Sequence, residues 1–299
     1  MAKIIIVGSS NTDLVVKANK IPMPGETVTG GVFTMAGGGK GANQAVAAAR
    51  LGGDVAFLAK VGDDLFGRNS IERYKAENMD ISHVIKDSDT ESGVALITVD
   101  EKGENCITVA PGANCKLGRK DIDAAANEFE NAEYILMQLE IPMETIEYAA
   151  DMALKKGIKV ILNPAPAAPL SDTLLSKLYL ITPNRTEASQ LSGVNVTSRA
   201  DAERAADVFL SKGVKNVVIT LGSEGALVKS KDSCAFVPAH KVKAVDTTAA
   251  GDTFSGAITV ALSEGKSLDE AVEFATKASA ISVTRLGAQP SVPYRKEIQ

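Results

Sequence analysis

Asp252 is the residue of this chain best placed for acid–base chemistry. It stands in Val245-Asp246-Thr247-Thr248-Ala249-Ala250-Gly251-Asp252-Thr253-Phe254-Ser255-Gly256, and the apolar stripe Phe254, Ala257/Ile258, Ala261/Leu262 predicts a helix starting near Gly251. The first N–H groups of a helix lack intrahelical acceptors and the helix dipole adds positive potential there. An anion such as the γ-phosphate of a nucleotide fits such a place. An aspartate in the first turn can then take the proton of a hydroxyl attacking that phosphate. Aspartate is also a favoured helix cap, but the small-residue run Thr-Thr-Ala-Ala-Gly is more than a cap requires. The chain has only two histidines, His83 and His240, neither set in a motif, so a carboxylate is the expected proton acceptor.

A second glycine-rich stretch, Gly37-Gly38-Gly39-Lys40-Gly41-Ala42-Asn43-Gln44-Ala45, also opens a helix. It fails as a Walker A loop, which needs Ser or Thr where Gly41 stands. It fails as a dinucleotide fingerprint because the preceding Gly31–Met35 belongs to no βαβ unit with the expected downstream acid. Two readings remain: a turn bringing backbone close to a small polyol, with Lys40 and Asn43 as side-chain ligands, or a flexible linker into a helix. Gly8-Ser9-Ser10-Asn11-Thr12-Asp13 follows the first strand, where Asn11 and Asp13 suit either vicinal hydroxyls or a turn. Met137-Gln138-Leu139-Glu140 and Thr182-Pro183-Asn184-Arg185-Thr186-Glu187 each lie just past a strand. Their carboxylates and amides suit a magnesium–phosphate environment, and Glu187 equally suits a helix cap. Thr220-Leu221-Gly222-Ser223-Glu224-Gly225 ends another strand with two glycines, fit for close backbone approach to a nucleotide or for a plain turn.

These loops need a frame that brings them to one rim. Short apolar, β-branched runs predict buried strands at Lys3–Val7, Val55–Ala59, Tyr134–Met137, Lys159–Leu162, Leu178–Ile181 and Val217–Leu221. Amphipathic stretches between them predict helices at Lys40–Leu51, Asp64–Asn78, Met143–Lys156 and Arg199–Lys212. The alternation predicts a mostly parallel sheet with helices on both faces. Two regions break the rhythm. Leu14–Thr34 and Ser92–Ala110 read as strands and turns, the latter as a hairpin, so a small β lid beside the main sheet is expected. A further hairpin, Gly225–Lys229 into Ser233–Val237, precedes two C-terminal helices. The α/β domain would comprise residues 1–10, 36–91 and 111–299, and the lid residues 11–35 and 92–110.

Composition narrows the function classes. The 32 Lys+Arg against 37 Asp+Glu leave a net charge of −5, which gives no bulk attraction for nucleic acid or anionic membrane. No segment approaches the roughly 18 apolar residues of a membrane span. The apolar start of the chain is too short for a signal peptide. Cys106, Cys115 and Cys234 are too few and too far apart for a disulfide framework or a zinc site. A cytoplasmic protein is expected.

Gly39-Lys40-Gly41-Ala42-Asn43-Gln44-Ala45, Asn184-x-x-Glu187 and Asp246-Thr-Thr-Ala-Ala-Gly-Asp-Thr-Phe254 together resemble the ribokinase family of sugar and nucleoside kinases, nearly end to end. Met137–Glu140, Asn163-Pro-Ala-Pro-Ala167 and Gly287-Ala-Gln-Pro-Ser-Val-Pro293 resemble the family's ribose kinases more than its other members. The resemblance implies a three-layer α/β/α fold with a small β-sheet lid, and ATP-dependent phosphorylation of D-ribose at O5. It implies Asp252 as general base, with Ala249, Ala250 and Gly251 forming an anion hole. Asn11, Asp13, Gly39, Lys40, Asn43 and Glu140 resemble the sugar ligands, and Asn184, Thr220, Gly222, Ser223, Gly225, Gly251 and Thr276 the ATP contacts. Glu187 falls where the family organises Mg²⁺. An activating monovalent cation, usually K⁺, is implied near Asp246, Thr248, Ser282, Arg285, Gly287 and Ser291, mostly through carbonyls. A homodimer through the lid strands is implied as well. The alternatives are another acceptor (fructose, a keto-deoxy sugar acid or a nucleoside), a non-catalytic sugar or nucleotide sensor, and a dinucleotide-dependent dehydrogenase. A nucleoside would want an aromatic wall, and only 4% of the chain is aromatic.

Overall fold

A computed structural model of the chain describes residues 3–298. In chain order the strands are β1 (Lys3–Val7), β2 (Asn11–Lys17), β3 (Val32–Gly38), β4 (Asp54–Gly62), β5 (Val84–Asp87), β6 (Gly93–Val99) and β7 (Asn105–Ala110). They continue with β8 (Ala132–Met137), β9 (Lys159–Leu162), β10 (Leu178–Ile181), β11 (Asn216–Thr220), β12 (Gly225–Ser230) and β13 (Cys234–Pro238). One sheet has the order β13-β12-β11-β10-β9-β8-β1-β4-β5, parallel except for the antiparallel hairpin β12–β13 and its pairing to β11. The second sheet, β3-β2-β6-β7, stands apart from it.

Strand β1 shows why the main sheet is covered twice. Alternate side chains of a strand point to opposite faces. Ile4 and Ile6 enter one core and Ile5 and Val7 the other, all fully buried. An unbroken Ile-Ile-Ile-Val run is thus what a strand between two helical layers requires. At about 2 kcal/mol per buried aliphatic side chain, such strands dominate the favourable side of folding. On one face lie the helices Met143–Lys155 and Arg199–Ser211, on the other Lys40–Arg50, Ala250–Ser263 and Leu268–Ser282.

The expected strands Lys3–Val7, Lys159–Leu162 and Leu178–Ile181 are present with those ends, and the other expected strands and long helices with shifted ones; the run read as Val55–Ala59 extends over Asp54–Gly62, and Val217–Leu221 is Asn216–Thr220. Strand β5 and the short helices Arg119–Ala124, Asp172–Leu175 and Arg185–Ser192 carry too few apolar residues to show a period. The Ser92–Ala110 hairpin is β6–β7, closed by a turn over Asp100–Gly103.

One contact sets how closely two helices approach. A Cβ on Gly256 would sit 2.8 Å from both the Ala47 Cβ and the Gln44 carbonyl oxygen. Only hydrogen at that position lets the helices Lys40–Arg50 and Ala250–Ser263 approach this closely, and their N-terminal ends meet as a result. All three cysteines are free and exposed. Among the described residues no helix is long and apolar enough to cross a membrane.

Candidate active site

Asp252, 6% exposed, sits in the first turn of the helix Ala250–Ser263. Its Oδ2 accepts from the Asn43 amide (2.9 Å) and its Oδ1 from the Gln44 amide (2.9 Å), both on the neighbouring helix. Each carboxylate oxygen therefore keeps acceptor capacity for an incoming hydroxyl. The Asn43 Oδ1 is buried with no partner, a polar atom left for a ligand.

The two glycine-rich helix starts differ in one decisive respect. At Lys40–Arg50 the first N–H groups are already taken. Lys40 N–H donates to Glu140 Oε2 (2.9 Å), Gly41 N–H to Ser9 Oγ (3.2 Å) and Ala42 N–H to the Ser9 carbonyl (2.8 Å). At Ala250–Ser263 the cap Ala249 is left-handed (φ 57°, ψ 15°), a conformation costly for a residue with a Cβ. Ala250 N–H donates to the Thr247 carbonyl (3.2 Å) and Thr253 N–H to Ala249 (2.8 Å). Among the described residues, the N–H groups of Ala249, Gly251 and Asp252 have no acceptor. Of the expected anion-hole residues, Ala250 donates its N–H to this internal bond, while Ala249 and Gly251 keep theirs free, as does the neighbouring Asp252. Gly251 needs neither positive φ nor close packing, since a Cβ there would meet nothing within 4 Å. Its open side faces a cleft of about 180 Å³ lined by Lys40, Asn163, Thr182, Asn184, Glu187, Thr220, Thr247, Ala249–Asp252 and Ser255. A larger apolar groove of about 430 Å³, between Leu170, Leu191 and Phe209, lies on the opposite face of the sheet and holds none of these groups.

On one side of the cleft, Asn184 caps the helix Arg185–Ser192 and Glu187 returns the bond: Glu187 N–H donates to Asn184 Oδ1 (2.9 Å), Asn184 N–H to Glu187 Oε2 (2.8 Å). Cap and cleft wall are therefore the same two residues. Burial raises the Glu187 carboxyl above its ordinary value, against the pull of the Asn184 N–H and of Lys40. Thr220 bridges to Asn184 at the cleft. Gly222 and Ser223 form a short turn beside it, and Gly225 opens β12. Thr276 is not brought to the cleft; it is buried, and its hydroxyl donates to the Val272 carbonyl of its own helix (2.7 Å).

On the other side of Asp252, Gly39 holds φ 87°, and a Cβ there would come 2.7 Å from the Asn11 nitrogen. Glu140 Oε2 accepts from Ser9 Oγ (2.5 Å) as well as from Lys40 N–H. Asn11 Oδ1 accepts from Asn114 Nδ2 (2.7 Å). Burial first, and the Glu140 carboxylate second, push the Asp13 carboxyl up to about 6, while Arg73 pulls the other way. Burial would lower the Lys40 ammonium, but Asp252, Glu140 and Glu187 hold it above its ordinary value. This lysine stays charged between the three carboxylates. Ser9, Gln44, Asn114 and Gln138 were given no site role in the sequence because their partners are remote in it; Ser9 and Gln138 stand just past strand ends, Gln44 inside the glycine-rich helix start and Asn114 in a short turn.

The segments 245–249 and 283–291 also meet. Asp246 Oδ1 accepts from the Thr248 N–H and hydroxyl (2.9 and 2.6 Å) and Oδ2 from the Gly287 N–H (2.8 Å). Burial would raise the Asp246 carboxyl, but these bonds hold it below its ordinary value. Among the described residues no donor reaches the carbonyl oxygens of Asp246, Thr248, Arg285 or Gly287. Such a set of hard oxygens fits an alkali cation. The hydroxyls of Ser282 and Ser291 donate to the carbonyls of Ser279 and Ala288, and Arg285, whose guanidinium pairs with Glu297, could serve only through backbone. No group of three or more His, Cys, Asp or Glu able to hold a metal occurs among the described residues.

Residues 1–295 match the family model described as pfkB family carbohydrate kinase. The chain is 46% identical to ribokinase of Haemophilus influenzae, over 98% of this chain and 95% of that protein. It superposes on ribokinase of Thermotoga maritima with a TM-score of 0.91 at 42% identity, covering 100% and 98% of the two chains. Ribokinase of Arabidopsis thaliana, solved in complex with ribose and ATP, gives a TM-score of 0.92 at 31% identity, covering 99% and 97%. A matching family model over nearly the whole chain, relatives of this similarity and a shared α/β architecture lead to one conclusion: the chain belongs to the pfkB family of carbohydrate kinases.

Proposed function

We propose that this protein transfers the γ-phosphoryl group of ATP to O5 of D-ribose, giving D-ribose 5-phosphate and ADP. The observation that carries this reading is Asp252, a buried carboxylate next to free helix N-terminal N–H groups on one side and a cluster of sugar-sized polar groups on the other. The ribokinase relatives, one of them complexed with ribose and ATP, support the acceptor and the donor.

Asn11, Asp13, Gly39, Lys40, Asn43 and Glu140 hold the sugar, with the unpartnered Asn43 Oδ1 accepting a hydrogen bond from a sugar hydroxyl. Asp252 accepts the O5 proton as O5 bonds to the γ-phosphorus and the bond to the ADP oxygen breaks. The N–H groups of Ala249, Gly251 and Asp252 stabilise the charge of the phosphoryl oxygens in transit, and Lys40 adds a fixed positive charge. Asn184, Thr220, Gly222, Ser223 and Gly225 line the nucleotide. Glu187 would hold Mg²⁺ through water beside the nucleotide phosphates, and the ion would neutralise their charge. The carbonyls of Asp246, Thr248, Ser282, Arg285, Gly287 and Ser291 would hold K⁺, which would supply a fixed positive charge that orders the loop leading into the anion site.

ADP release with Mg-ATP should appear with ribose and be much weaker with fructose or adenosine, and it should fall when K⁺ is replaced by tetramethylammonium. Turnover on another acceptor alone would move the assignment to that sugar. ATP binding without turnover on any acceptor would leave a sensor.

A second copy of the chain is the partner we assign to the sheet β3-β2-β6-β7. Leu14, Val16, Phe33, Met35 and Leu96 share one face of it by register, and the last four are exposed. An exposed apolar patch of this kind marks an interaction surface. Sedimentation should give a dimer, and the double variant Phe33→Glu with Leu96→Lys a monomer. A wild-type monomer at micromolar concentration would remove this assignment.

A further inference from the structure

We propose that Gln44 is the positioning residue that orients the Asp252 carboxylate, and that a relay of buried amides ending on the Thr182 carbonyl holds Gln44 the right way round. The inference deepens the reading of Asp252 as the base and depends on it.

The relay has a direction, and the direction follows from its end. A backbone carbonyl can only accept. Asn163 Nδ2 therefore donates to the Thr182 oxygen (3.0 Å), which turns Asn163 Oδ1 toward Gln44. Gln44 Nε2 donates to that Oδ1 (3.0 Å) and with its second hydrogen to Asp252 Oδ1 (2.9 Å). Its donors are now saturated, so its Oε1 must face away, and it accepts from Gln138 Nε2 (2.6 Å). Gln44 and Gln138 are fully buried, and Asn163, Thr182 and Asp252 nearly so. In that setting a flipped Gln44 would put its oxygen against two acceptors, Asp252 Oδ1 and Asn163 Oδ1, and its amide against the donor Gln138 Nε2. Unpaired buried groups of this kind are costly, so the relay admits one orientation.

Two consequences bear on the reaction. With Asn43 on Oδ2 and Gln44 on Oδ1, the carboxylate cannot rotate, and its remaining lone pairs keep one heading. The relay also starts from the nucleotide wall. Thr182 lines the cleft beside Asn184, and its hydroxyl lies 3.3 Å from that of Ser255, one turn beyond Asp252. The orientation of the base is thereby tied to the segment that receives the nucleotide.

The test is the pH dependence of kcat, with KM for the sugar, in Gln44→Met and Gln44→Glu beside wild type and Asp252→Asn. Loss of the Gln44 donor weakens the ionised form of Asp252. The acid limb of kcat should move up by about half a unit to one unit in Gln44→Met and further in Gln44→Glu, where a second carboxyl faces the first. The plateau kcat should fall on the order of 10–100-fold as the carboxylate loses its fixed heading, with KM nearly unchanged. A residue that merely fills space would leave the acid limb where it is. Should Gln44→Met not fold, Asn163→Ala leaves Gln44 in place, removes only its orienting partner, and must move the same limb in the same direction. An unmoved acid limb with kcat within threefold of wild type, in a protein whose Asp252→Asn form is inactive, overturns the role of Gln44. Activity in Asp252→Asn overturns instead the assignment of the base.

Discussion

Asp252→Asn is expected to lower kcat by on the order of 10²–10⁴ while the fold survives. The asparagine cannot take the proton of the attacking hydroxyl. It also disturbs a local match, because both oxygens of the native carboxylate receive amide donors, from Asn43 and from Gln44. An asparagine presents one oxygen and one NH₂, so one donor must face another donor in a buried site. That mismatch costs about 1–3 kcal/mol. The variant should therefore combine collapsed turnover with a lower Tm, and its nucleotide binding should persist because the free N–H groups are backbone. Near-normal turnover would sink the role of Asp252, and an unchanged or higher Tm would sink the account of its two hydrogen bonds.

Asp13→Asn should do the reverse to stability. Burial, then the nearby Glu140 carboxylate, raise the folded-state pKa of Asp13 from 3.8 to about 6. A carboxyl whose pKa is raised on folding costs nothing below the unfolded value. Its cost grows as pH rises between 3.8 and 6 and is complete above 6. The asparagine variant should thus be more stable than wild type at pH 7.5 by on the order of 2–3 kcal/mol, with the gain disappearing toward pH 4. Catalysis moves the other way, since the charged carboxylate is the stronger acceptor for sugar hydroxyls. KM for the acceptor should rise at least tenfold in the variant, and in wild type it should rise as pH falls through about 6. Equal stability at pH 7.5 would show that ionised Asp13 carries no folding cost. An unchanged acceptor KM would take Asp13 out of the sugar site.

The pairing of these two effects explains why an unfavourable charge sits there. A buried carboxylate beside another is a poor use of a position if stability alone counted. In the proposed function the sugar supplies the hydrogen-bond donors the protein withholds.

Much of this was legible in the sequence because it is local. The Ile-Ile-Ile-Val run of β1, the helical spacing after Gly251 and the glycines ahead of Lys40 report what each segment does with its own neighbours, and the structure has these elements. Resemblance of whole motifs added the family, since those motifs span the chain. What depended on distant partners was not legible. Gln44 and Asp252 are 208 positions apart, and nothing in either segment names the other. Their meeting follows from the strand order, which places β8 and β9 between β1 and β10, and from Gly256, which lets two helices close to contact. The two glycine-rich helix starts looked alike as strings. Only the fold decided that Ser9 and Glu140 cap one, while the other keeps free N–H groups for an anion. The physical reason is that periodicity and turn chemistry act over a few residues, whereas an unfilled donor or a fixed carboxylate is defined by which remote groups fill the space around it.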